Sequence, residues 1–236
     1  MGQKKLLRFA QVKEMHNVFE YPTNIAGTWH EKFNNQNELI LELACGRGEY
    51  TVGLAKLYPN KNFLGVDVKG NRMYLGAKKA VDTPLHNAMF LRTQIEMLPD
   101  YFIQNEVDEI WITFPDPQLR TSRAKKRLTH PRFLRCYQKV LKKNGIIHLK
   151  TDSPNLYKFT LQVIEMYGLT LLMSCDDVYA QSKIDERLQI KTHYESLDIA
   201  QSNKIFYLQF SLPAIIEQKD NDLQEILKHT ETVIES

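Results

Sequence analysis

The segment that most constrains this chain is Leu39 to Thr51. Leu39-Ile40-Leu41-Glu42-Leu43 is a short apolar run that runs into a turn, Ala44-Cys45-Gly46-Arg47-Gly48. Tyr50, Leu54, Leu57 and Tyr58 then recur at helical spacing until Pro59-Asn60. An apolar run of this length bounded by glycine fits a buried strand, and the spacing after it fits an amphipathic helix. A strand, a tight glycine turn and a helix make the first half of a βα unit. Such units build a parallel sheet covered on both faces.

The rest of the chain repeats the alternation. Strands are expected at Asn62–Asp67, Ala88–Leu91, Val107–Phe114, Ile146–Lys150, Leu169–Met173 and Ile205–Leu212. With Leu39–Leu43 they give seven strands. A Lys- and Ala-rich helical stretch runs through Ala80. Phe133, Tyr137, Val140 and Leu141 mark one face of a later helix, with a stop expected at Asn144-Gly145. Ser153-Pro154 opens another, Ser as N-cap and Pro at the first position, with Leu156, Phe159, Val163 and Tyr167 on its buried side. Residues 1–36 read as a basic N-terminal extension, 37–212 as one catalytic core, and 213–236 as a polar tail able to form an amphipathic helix.

Composition excludes several classes. The chain has 236 residues, enough to bury a core without staples. Its three cysteines, Cys45, Cys136 and Cys175, are odd in number and far apart. They argue against a disulfide framework or a zinc site, and no metal is expected. No run approaches the roughly 20 apolar residues that cross a bilayer, so no membrane association and a cytoplasmic location are expected. A net charge of +3 permits a nucleic-acid partner without demanding one.

In an open parallel sheet, ligands bind beyond the carboxyl ends of the strands. Three groups stand there. Gly46 and Gly48 let the backbone turn tightly and approach a ligand, but Thr51 takes the place of the third glycine of a dinucleotide loop. Glu42 ends the strand before that turn, where it would repel a pyrophosphate and suit a cationic ligand. Asp67 ends the second strand, where a carboxylate can accept both hydroxyls of a ribose. Without a ligand, the same residues would make a tight turn and a solvated acid. Cys45 lies in the turn with no base beside it, which favours packing over nucleophilic chemistry.

The second group is Phe114-Pro115-Asp116-Pro117, where two prolines stiffen the backbone around one aspartate. Arg120, Arg123, Lys125, Lys126 and Arg127 follow within one short stretch, suited to phosphate neutralisation beside a base pocket. The third is Lys150-Thr151-Asp152 at the end of the fifth strand, where Asp152 and Ser153 are both able to cap the next helix.

Together these segments resemble the bacterial tRNA (guanine-N7)-methyltransferase family, from about Leu39 to Leu212. The resemblance rests on Glu-x-x-x-Gly-x-Gly at Glu42–Gly48, on Pro-Asp-Pro with its basic run and Arg-Leu-Thr, on Lys-Thr-Asp, and on Thr-x-Tyr-Glu at Thr192–Glu195. It implies a Rossmann-like class I methyltransferase fold, a mainly parallel seven-stranded sheet with helices on both faces. It implies S-adenosylmethionine as methyl donor and N7 of the variable-loop guanine at position 46 of tRNA as acceptor. Glu42, Gly46, Gly48, Asp67 and Gln94 then match cofactor positions. Asp116 matches the acidic residue between cofactor and base, with a catalytic role. Arg120, Asp152, Thr192 and Glu195 match substrate contacts. The working form would be a monomer or homodimer. Three departures stand out. Many members carry Glu at Asp67 and Asp at Gln94, and the family's usual Pro-Asp-Pro-Trp-Pro-Lys-Lys-Arg-His is here Pro-Asp-Pro-Gln-Leu-Arg-Thr-Ser-Arg. Other readings of the same residues are a class I methyltransferase acting on another RNA or a small molecule, and a non-catalytic RNA-binding scaffold.

Overall fold

The computed structural model describes residues 2–197, 201 and 203–234; Glu235 and Ser236, the end of the expected tail, lie outside them. In chain order the elements are α1 (Gly2–Lys13), β1 (Val18–Glu20), α2 (Trp29–Phe33), β2 (Leu39–Leu43), α3 (Glu49–Leu57), β3 (Asn62–Asp67), α4 (Gly70–Asp82), β4 (Ala88–Arg92), α5 (Leu98–Tyr101), β5 (Val107–Thr113), α6 (Pro131–Gln138), β6 (Leu141–Thr151), α7 (Pro154–Met166), β7 (Thr170–Cys175), β8 (Phe206–Ser211) and α8 (Asp220–Ile234).

Among the described residues, eight strands form one sheet in the order β1-β4-β3-β2-β5-β6-β8-β7. The pairs from β1 to β6 are parallel, and β8 runs antiparallel between β6 and β7. Every residue of β2 is buried, as expected for a strand covered on both sides. One face carries Leu41, Leu43, Ile110, Ile112 and Leu149 against Phe133 and Tyr137 of α6 and Leu156 and Val163 of α7. The other carries Ile40, Phe63, Phe90 and Trp111 against Tyr50 and Leu54 of α3 and Met73 and Ala77 of α4. No helix among the described residues is long and apolar enough to cross a membrane.

The fold differs from the expected seven-stranded sheet at its edge. The segment read as an extension adds β1 beside β4, Val18 opposite Phe90. It is also tied to the core further on. Trp29 is buried, stacks on Phe102 at 5.5 Å, and donates its indole N–H to the carbonyl of Tyr101 at 2.8 Å. A three-residue strand offers too few positions for a period to be read.

The helix expected to stop at Asn144-Gly145 ends instead at Gln138. Leu141 pairs with Val107 in the sheet, and Asn144 takes the left-handed region at φ 64 where the register of β6 shifts. Val140, in the turn after α6, and Leu141, at the start of β6, are buried in the core here, so they mimic a helical face without belonging to one. The start of α7 follows expectation: Ser153 accepts the N–H of Leu156 at 3.2 Å, with Pro154 at the first position.

Candidate active site

Sheet order places the site. The chain runs outward from β2 through β3 and β4, then returns to lay β5 on the other side of β2. The carboxyl ends of β2 and β5 therefore flank the point where the connections diverge, which is where open sheets bind ligands. A cleft of about 1040 Å³ opens there. Glu42, Gly46, Asp67, Gln94, Asp116, Asp152 and Thr192 all line it. They come from the ends of five strands and one long loop.

Glu42 sits at the cleft floor, 3% exposed. One carboxylate oxygen accepts the N–H of Thr51 at 2.7 Å and its hydroxyl; the other accepts the hydroxyl of Thr113 at 2.8 Å. Burial outweighs these bonds and pushes its pKa up to about 7. Thr51, in the place of a third glycine, thus serves as the partner of the acid. Asp67 is engaged by backbone: it accepts the N–H of Gly46 at 2.9 Å and that of Lys69 at 2.8 Å. It ties the loop after β2 to the end of β3.

The two loop glycines have separate tasks. Gly46, at φ 56, borders the cleft, and a Cβ there would sit 3.6 Å from the ring of Tyr194. Gly48 lies away from the cleft, at φ 70, where a Cβ would come within 2.5 Å of Phe90. It permits α3 to pack on β4 and α4. Burial holds the Cys45 thiol well above its ordinary pKa, in keeping with a packing role.

On the β4 side, Gln94 is exposed at the cleft wall. Its neighbour Thr93 is 1% exposed, lines the cleft, and has a hydroxyl with no hydrogen-bond partner among the described residues. An orphaned buried hydroxyl beside an acid-floored cleft fits a polar ligand such as a nucleoside. No sequence motif marks Thr93.

Asp116 stands exposed at the cleft rim beyond β5. One of its oxygens accepts the N–H of Gln118 at 3.0 Å. Asp152 lines the cleft beyond the neighbouring β6, and the helix cap it was weighed for is supplied by Ser153.

The long connection between β7 and β8 folds back over the cleft and is anchored by Lys150. That ammonium is fully buried and donates to the carbonyls of Leu188 at 2.8 Å and Ile190 at 3.0 Å, and to Glu195 at 3.0 Å. Its pKa is lowered by burial, against the pull of Glu195. The second oxygen of Glu195 accepts the hydroxyl of Tyr179. Glu195, expected at the guanine edge, therefore lies outside the cleft lining with its side chain 5% exposed. Thr192 accepts the N–H of Glu195 at 3.1 Å, and Tyr194 reaches the cleft with Arg72 5.6 Å from its ring centre.

The basic run splits. Arg120, Arg123, Lys125 and Lys126 are exposed, and Lys126 reaches the cleft, joined by Arg132 from α6. Arg120 lies outside the lining. Arg127, expected to contact phosphate, is buried. Among the described residues, no group of three or more His, Cys, Asp or Glu side chains is placed to hold a metal ion.

The chain is similar to known methyltransferases. The family model Methyltransf_4, described as "Putative methyltransferase", matches residues 36–208. A tRNA (guanine-N(7)-)-methyltransferase of Bacteroides fragilis is 43% identical over 233 residues, covering 95% of this chain and 92% of the relative. Another, from Porphyromonas gingivalis, is 46% identical over 207 residues, covering 83% and 84%. Among solved structures, the 16S rRNA methyltransferase KamB superposes with a TM-score of 0.60 at 16% identity, over 81% of this chain and 96% of that one, a likeness of fold.

Proposed function

The chain belongs to the tRNA (guanine-N(7)-)-methyltransferase family, and from that premise we propose that its cleft transfers a methyl group from S-adenosylmethionine to N7 of a guanine in tRNA, the variable-loop guanine at position 46. The observation that carries this reading is the convergence of Glu42, Asp67, Asp116 and Asp152 on one cleft at the divergence of β2 and β5.

S-adenosylmethionine, when bound, supplies an electrophilic methyl on a cationic sulfur. Glu42 offers a buried negative charge to that cation. Asp67 keeps lone pairs for a ribose beyond the two it commits to backbone, and Thr93 with Gln94 meets the base of the nucleoside. Guanine N7 carries a lone pair in neutral RNA, so the protein needs no strong base. Its task is to align acceptor and donor, an effect of proximity. The purine gains positive charge as the methyl arrives, and Asp116 at the rim stabilises that charge. Asp152 receives the guanine edge through N1–H and the exocyclic amine, with Thr192 beside it. Glu195 acts through Lys150 in holding the covering loop. Exposed Lys125, Lys126 and Arg123 supply phosphate contacts, which favours tRNA over a small molecule. A tRNA substrate makes the cytoplasm the expected place of action.

Mass spectrometry of nucleosides from tRNA incubated with the protein and labelled S-adenosylmethionine tests the reading. Label in 7-methylguanosine is expected. Label in another nucleoside, or none, contradicts it.

A further inference from the structure

Arg127 closes a run of basic residues, and its charge alone marks it as a phosphate contact. Its surroundings point inward. The side chain belongs to a residue only 5% exposed. Nε donates to the carbonyls of Pro117 and Gln118, both at 3.2 Å. Nη2 donates to those of Gln118 at 3.1 Å and Leu119 at 3.3 Å. These are the three carbonyls that follow Asp116. The central carbon of the guanidinium lies over the ring of Phe159 on α7, 4.5 Å from its centre. A planar fork can bond through its edge while it stacks through its face, which an ammonium cannot do.

The loop needs such a support. Phe114 at φ 46 and Gln118 at φ 47 both sit in the left-handed region, which is costly for residues with a Cβ. Pro115 and Pro117 have no N–H to donate. Four bonds from one side chain that is itself wedged against Phe159 compensate for that poverty.

We infer that Arg127 is a positioning residue for methyl transfer: its guanidinium clamps the carbonyls of Pro117, Gln118 and Leu119 so that Asp116 is held at the cleft rim before tRNA arrives. The inference rests on the role proposed for Asp116 and extends it to the residue that aims it.

Arg127→Lys is the discriminating variant, because it keeps the charge and loses the fork. A phosphate contact survives that exchange; the clamp does not. The single-turnover methylation rate is expected to fall by about tenfold or more, while the dissociation constants for tRNA and S-adenosylmethionine stay within about twofold. Combined with Asp116→Asn, it should lower the rate little further than Asp116→Asn alone, since both act on one step. Amide exchange at Gln118 and Leu119 should quicken. A normal rate in Arg127→Lys, or losses that add fully in the double variant, overturns the inference. Unchanged exchange overturns it too, and that readout holds even if tRNA proves not to be the substrate. Phe159→Leu, which removes the ring beside the guanidinium and keeps an apolar side chain in the core, covers the case in which Arg127→Lys does not fold: a smaller rate loss with intact tRNA binding is expected, and a normal rate counts against the clamp.

Discussion

The hydroxyl of Thr113 at the end of β5 donates to the Glu42 carboxylate at the end of β2, 2.8 Å away, across the two strands from which the connections diverge. The bond joins the end of β2, which leads into the glycine turn, to the end of β5, which leads to Asp116. It also helps to hold a buried acid whose raised pKa makes it responsive to pH.

Burial raises the Glu42 pKa to about 7, so a large share of the molecules hold it protonated at pH 6.5. A cationic ligand prefers the ionised form, so binding lowers this pKa and expels a proton. Affinity for S-adenosylmethionine should therefore weaken as pH falls below about 7. Calorimetry at pH 6.5 in two buffers of different ionisation enthalpy should show more than about half a proton released per ligand bound. Glu42→Gln should abolish that release; an unchanged release assigns it to another group.

Asp67 accepts from Gly46 and Lys69 while facing the cleft. Asp67→Ala removes both the loop tether and the acceptor for a ribose. Binding of S-adenosylmethionine should weaken by about 1–3 kcal/mol, the cost of charge-assisted hydrogen bonds left unmade. Unaltered affinity in a folded variant removes Asp67 from the cofactor site.

The exposed cations should carry the salt dependence of tRNA binding. Neutralising Arg123 and Lys126 together should flatten the slope of log affinity against log salt by roughly 0.7–0.9 per lost contact, with cofactor affinity intact. A slope that stays the same makes this surface a solvated face.

How far such assignments can be read in sequence depends on what fixes them. The turn from Glu42 to Gly48 was legible because backbone geometry demands glycine there, at φ 56 and φ 70. Ser153-Pro154 was legible because caps are local. Arg127 and Lys126 are adjacent and equally charged, yet one is buried and one exposed. A charge run gives the sign and not the direction of each side chain. The surroundings of Glu195 were hidden in the same way: its partner Lys150 is 45 residues distant, on β6. A lysine at the end of the mainly apolar strand Ile146–Leu149 was the available signal, since a buried ammonium requires acceptors. Thr93 offered none, because a lone threonine after a strand is ordinary until burial shows its hydroxyl without a partner.

Asp116 should act on the rate more than on either ligand. Asp116→Asn keeps the shape and removes the negative charge proposed to stabilise the developing purine cation. Turnover should fall at least about tenfold, equivalent to 1.4 kcal/mol in the barrier, with tRNA and cofactor binding nearly intact. If Asp116 merely braces its loop through the N–H of Gln118, the variant will instead lose thermal stability or tRNA affinity. Rates, dissociation constants and melting temperature from one preparation separate the two.

The identity of the acceptor atom is open to direct removal. A tRNA carrying 7-deazaguanosine at the variable-loop position keeps the base, its pairing edge and the backbone, and replaces only N7 with a carbon. With labelled S-adenosylmethionine, this tRNA should bind within about twofold of the unmodified one, since N7 matters in the reaction more than in ground-state affinity. It should accept no label. Label transfer to the deaza tRNA at the rate of the unmodified one would place the methyl on another atom and contradict transfer to N7.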